Sequence, residues 1–102
     1  MVSHLKAVDG AHTVVLDGEL DYETSPEFVA VVDGVPVSGG VVELDLSGVP
    51  FCDSAGLAAL VHAYRRVSGG GGELRVIGID PRLLRMLEMT GLAHLFTPRG
   101  GG

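Results

Sequence analysis

The stretch that most constrains this chain runs from Val41 to Val67, VVELDLSGVPFCDSAGLAALVHAYRRV. Val41, Val42, Leu44 and Leu46 have the β-branched and apolar content of a strand, and Ser47-Gly48-Val49-Pro50 supplies the residues that turn the chain out of it. Leu57, Leu60, Val61, Tyr64 and Val67 then recur at steps of three and four, the period of a helix with one apolar face. Ala59, His62, Arg65 and Arg66 fall on the opposite face. Asp53 and Ser54 stand where that helix begins, and a side-chain oxygen there satisfies an otherwise orphan N–H of the first turn.

The flanking segments repeat the unit. Thr13 to Leu16 is β-rich and gives way to carboxylates at Asp17-Gly18-Glu19-Leu20-Asp21, which predicts a strand to about Glu19 and a loop after it. Thr24-Ser25-Pro26-Glu27 predicts a helix start, with Thr24 as hydroxyl cap and proline in the first turn, and Phe28, Val31, Val32 and Val35 as its buried face. Gly34, Pro36 and Gly39-Gly40 end it. Gly69 to Gly72 form a mobile connection; no Lys-Ser/Thr follows them and they precede a strand, so they are no phosphate loop. Glu73 to Ile79 reads as the last strand, Asp80-Pro81 as the cap of a helix carrying Leu83, Leu84, Met86 and Leu87, and Gly91 as its left-handed stop. Leu95 and Phe96 close the core.

Met1 to Ala7, turning at Asp9-Gly10, reads as an antiparallel edge strand. The order is then β-β-α-β-α-β-α: an α/β fold with a four-stranded mixed sheet, an antiparallel N-terminal edge and three to four helices. Residues 1–98 form a single domain and 99–102 a flexible glycine-rich tail.

Seven basic against thirteen acidic residues give a net charge of −6, which argues against a nucleic-acid backbone or an anionic membrane surface as partner. No run has the layout of a signal peptide or the length of a membrane span, and the lone Cys52 forms no internal disulfide; the expected location is cytoplasmic. His4, His12, His62 and His94 include no pair at ligand spacing, so no metal or cofactor is expected. Cys52-Asp53-Ser54-Ala55-Gly56 lacks the glycine of a nucleophile elbow two places before the serine, and hydrolase chemistry is not expected. Cys52, with no adjoining His or Lys, reads as a buried small hydrophobe.

Ser54 thus remains as a hydroxyl displayed at a helix N-terminus, where free N–H groups and the helix dipole favour an anion. Asp and Ser are also the ordinary residues of an N-cap, and spacing alone favours that plain role. The run LDLSGVPFCDSAGLAALV, with Gly18-Glu19-Leu20-Asp21 upstream, resembles the STAS domain and in particular the bacterial anti-sigma-factor antagonists, from about Val14 to Phe96. The resemblance implies that Ser54 is phosphorylated, that the unphosphorylated form binds an anti-sigma factor with serine kinase activity and frees a sigma factor, and that a serine phosphatase reverses the modification. It implies no enzyme activity in the chain itself. Asp21, Asp53, Ser54, Ala55, Gly56 and Leu57 are then the expected partner-binding residues, the alternatives being a solvated loop carboxylate for Asp21, a plain cap for Asp53 and packing for Gly56 and Leu57. Ala55 departs from the Ser or Thr that many members carry there. The alternative is a STAS subunit that is never phosphorylated, such as one in a lipid-transport complex.

Overall fold

The computed structural model describes residues 12–35 and 39–96. The antiparallel edge strand expected from Met1 to Ala7 lies outside the described residues, as does the tail at 99–102. Three strands, β1 (His12–Asp17), β2 (Val41–Gly48) and β3 (Glu73–Ile79), alternate with α1 (Ser25–Gly34), α2 (Ser54–Gly69), α3 (Pro81–Met89) and the single turn α4 (Ala93–Phe96). The sheet order is β1-β2-β3, all parallel, with Val14 opposite Leu44 and Leu44 opposite Val76. This is the α/β arrangement expected, with β2 at the centre.

Parallel sheets are commonly buried on both faces and their strands read as unbroken apolar runs. Here β2 alternates instead. Val42, Leu44 and Leu46 are buried beneath the helices with Val14, Leu16 and Val76, and Glu43 and Asp45 point the other way. On that second face the Thr13 hydroxyl donates to the Glu43 carboxylate at 3.0 Å across the register. One apolar cluster therefore forms between the sheet and its helices, closed by Phe28 of α1, Leu60 of α2, Leu83 and Leu87 of α3 and Phe96 of α4, each with no exposed surface.

The buried face of α2 is rotated from the face the apolar period marks. Gly56, Ala59, Leu60, Ala63 and Val67 point inward, and Leu57 and Tyr64 are only partly covered. Ala59, assigned above to the solvent side, is 4% exposed because small residues let α2 and α1 approach closely. Arg66 is likewise no free surface cation. Its Nε donates to the Val32 carbonyl at 2.9 Å and its Nη2 to the Asp33 and Val35 carbonyls at 2.7 and 3.2 Å, clamping the end of α1.

At α1 itself Thr24 occupies the cap position without capping. Its hydroxyl accepts from the Asp21 N–H and donates to the Glu19 carbonyl, both at 2.9 Å, so it braces the preceding loop. At the far end of the fold Gly91 has φ +79°, and Leu92 N–H reaches the Leu87 carbonyl at 2.8 Å, the bonding of a Schellman stop.

Candidate functional site

The site lies at the carboxyl ends of β1 and β2, where parallel strands deliver their following loops side by side. Strand β1 ends at Asp17, two residues short of expectation, because Gly18 adopts φ +109° and bends the chain while its N–H holds the Gly48 carbonyl at 2.9 Å. Pairing then resumes. Leu20 and Cys52 form an isolated parallel bridge, with Leu20 N–H on the Phe51 carbonyl at 3.2 Å and Asp53 N–H on the Leu20 carbonyl at 3.3 Å. The two loops are in effect a late extension of the β1–β2 ladder, and their inward side chains, Leu20 and Cys52, are buried in the core.

Helix α2 starts directly on this bridge. A methyl at Gly56 would overlap the Leu20 carbonyl oxygen and lie 2.7 Å from Cys52 Cβ, so only glycine lets the first turn sit there. Asp53, in extended conformation, is the N-cap: one carboxylate oxygen accepts from Gly56 N–H at 2.9 Å. Its other oxygen accepts from Tyr22 N–H at 3.1 Å. One side chain thus caps the helix and fastens the first loop to the second.

Ser54 is the first residue of α2 and is exposed. Ala55 and Leu57, on either side of it, are half-buried and face different grooves: Ala55 joins Pro26, Val29 and Ala58 between α1 and α2, and Leu57 joins Val61 and Leu92 on the far side of α2. Gly56 is buried under the turn. The Asp21 carboxylate is engaged within its own loop. Its Oδ1 accepts from the Thr24 and Glu23 N–H groups, both at 3.0 Å, and is the second, longer contact of the Thr24 hydroxyl proton at 3.2 Å. Hydrogen bonding, first from the Thr24 N–H, holds its carboxyl below the ordinary aspartate value. The Cys52 thiol is pushed up to about 11 by burial first and the neighbouring Asp53 charge second, which leaves it a protonated core residue.

All six predicted site residues therefore fall within this one end of the sheet. Two more belong with them that the motif does not contain: Tyr22 and Phe51, both exposed, on the two loops that the bridge joins. The available signal was an aromatic residue within two positions of each carboxylate, in Leu20-Asp21-Tyr22 and Phe51-Cys52-Asp53. Among the described residues no group of His, Cys, Asp and Glu is arranged to hold a metal ion, and no helix is long and apolar enough to cross a membrane.

Comparison with known proteins identifies the family and the fold. The chain is 32% identical over 83 residues to the anti-sigma-B factor antagonist of Listeria monocytogenes, covering 80% of this chain and 73% of that protein. An anti-sigma factor antagonist from Mycobacterium paratuberculosis superposes with TM-score 0.71 at 28% identity, over 96% of this chain and 84% of the other. A sulfate transporter family protein from Wolinella succinogenes has TM-score 0.76 at 20% identity, over 92% and 82% of the two chains, a likeness of fold alone. The family model described as Mlab, STAS domain, matches residues 3–97, and the chain belongs to the STAS domain family.

Proposed function

We propose that this chain is an anti-sigma-factor antagonist switched by phosphorylation of Ser54. Unphosphorylated, it binds an anti-sigma factor that is also a serine kinase and so releases a sigma factor; the kinase transfers the γ-phosphoryl of ATP to the Ser54 hydroxyl, binding ends, and a serine phosphatase restores it. The chain is substrate and ligand and performs no catalysis. Its place of action is the cytoplasm.

The observation that carries the reading is an exposed serine hydroxyl at the first position of α2, on a turn held by Asp53 and Gly56. Phosphorylation adds about −1.5 to −2 charges to a chain at −6. The helix N-terminus accommodates that charge in the free protein with little rearrangement. At an interface, an anion pressed against apolar surface is desolvated without a partner, and each loss of about 1.4 kcal/mol weakens affinity tenfold. Binding is switched without refolding.

The test is titration calorimetry with each purified anti-sigma-factor serine kinase encoded in the same genome, against wild type, Ser54→Ala and Ser54→Asp. Ser54→Ala keeps binding and loses phosphorylation by ATP; Ser54→Asp binds more weakly. Equal affinity of all three proteins refutes the switch and supports the constitutive STAS subunit.

A further inference from the structure

Among the described residues four large apolar side chains are exposed: Tyr22 at 79%, Phe51 at 45%, Ile77 at 47% and Met89 at 81%. Ile77 belongs to β3 and Met89 ends α3, but Tyr22 and Phe51 share one place. Tyr22 follows Asp21 and its N–H is held by the Asp53 carboxylate; Phe51 precedes Cys52 and its carbonyl holds Leu20 N–H. With Cys52 turned into the core, the extended backbone turns Phe51 outward. Both aromatic residues stand on backbone pinned by the Leu20–Cys52 bridge, so little backbone freedom remains to be lost when a partner covers them.

The two loops that carry them hold side-chain charge of a single sign. No Lys, Arg or His occurs between Thr13 and Val61, and the loops contain Glu19, Asp21, Glu23 and Asp53. Nucleic acid and anionic lipid are repelled by such a surface. A protein surface with an apolar recess bordered by guanidinium or ammonium groups is its complement, since aromatic anchors seat in apolar pockets and arginine stacks on tyrosine faces.

We infer that Tyr22 and Phe51 are the apolar anchors by which this chain docks on its protein partner, in a recess rimmed by arginine or lysine. The inference rests on the reading of the chain as an anti-sigma-factor antagonist and assigns part of the binding to two residues outside the Asp53–Leu57 motif. The carboxylates steer the encounter and the aromatic pair holds the complex.

The test uses the anti-sigma factor that binds the wild-type chain, titrated with Tyr22→Ser, Tyr22→Phe, Phe51→Ser and Ile77→Ser, the fold of each verified by thermal melting. Tyr22→Ser and Phe51→Ser each weaken binding at least about tenfold, the scale of an interface anchor. Tyr22→Phe and Ile77→Ser stay within about twofold, and added salt slows association of the wild type. Tyr22→Ser is informative even where Phe51→Ser disturbs folding, since Tyr22 is largely outside the core. Retention of wild-type affinity by Tyr22→Ser, with Ser54→Asp still weakening it, overturns the anchors and leaves the functional reading standing. Failure of every anti-sigma factor to bind the wild type ends both.

Discussion

Gly56→Ala sets two effects of known size against each other at the centre of the site. In an open helix the change is stabilising by about 1 kcal/mol, because alanine restricts the unfolded chain and favours helical backbone. Here the new methyl overlaps the Leu20 carbonyl oxygen and crowds Cys52 Cβ at 2.7 Å. A carbonyl cannot rotate aside as a side chain does, so α2 must back away from the Leu20 loop. That movement lengthens the Asp53 N–H to Leu20 carbonyl bond, already 3.3 Å, and the Tyr22 N–H to Asp53 carboxylate bond at 3.1 Å. Two hydrogen bonds at about 1 kcal/mol each and an overpacking cost of about 1–3 kcal/mol exceed the propensity gain, for a net loss of about 2–4 kcal/mol. In urea, at a slope of about 1.5 kcal/mol/M, the midpoint falls by roughly 1–3 M. Amide resonances of Tyr22 and Ser54 move with it. An unchanged or raised midpoint refutes the reasoning, for it would mean that α2 does not rest on the Leu20 carbonyl.

Two further outcomes follow from side chains whose roles are now assigned. Arg66→Ala destabilises by about 1–3 kcal/mol, because the Val32, Asp33 and Val35 carbonyls lose the guanidinium and Val32 keeps the Val35 N–H; Arg65→Ala, on the exposed side of the same helix, changes the urea midpoint negligibly, and equal effects of the two would contradict the clamp. Asp21 has a folded-state pKa lowered from 3.8, so the stability it lends its turn is present above the unfolded value and is lost as pH falls through the lower folded one. The Glu23 and Thr24 amide shifts therefore titrate together with a midpoint below 3.8, and a midpoint at or above that value removes the proposed hydrogen bonds.

Much of the fold was legible because its signals are local. Asp53, Gly56 and the spacing of Leu57, Leu60 and Val67 mark the start and the period of α2 without reference to anything distant, and parallel topology alone placed the Asp21 and Asp53 loops together. The errors came where packing or a competing partner decides. Thr24 has the chemistry of a cap, but the nearer Asp21 N–H and Glu19 carbonyl take its hydroxyl. Ala59 carries too little apolar weight to shift a helical period, yet its small size is what lets α1 close on α2. Arg66 reads as solvent-facing until the end of α1, more than thirty residues earlier, is seen to need donors. The exposure of Tyr22 and Phe51 was not readable at all, since a loop aromatic is as often tucked in as turned out.

The bridge between Leu20 and Cys52 separates what is constant in this surface from what is free to vary. The hydroxyl of Ser54 is located by main-chain bonds, one cap carboxylate and the lack of a methyl at Gly56, none of which uses the side chains of Tyr22, Phe51 or Ala55. Those three positions can be exchanged to address a different protein while the serine stays in register. Under the proposed function, a cell holding several such chains keeps their circuits apart by rewriting these proposed recognition residues, with a common chemistry of modification left untouched beneath them.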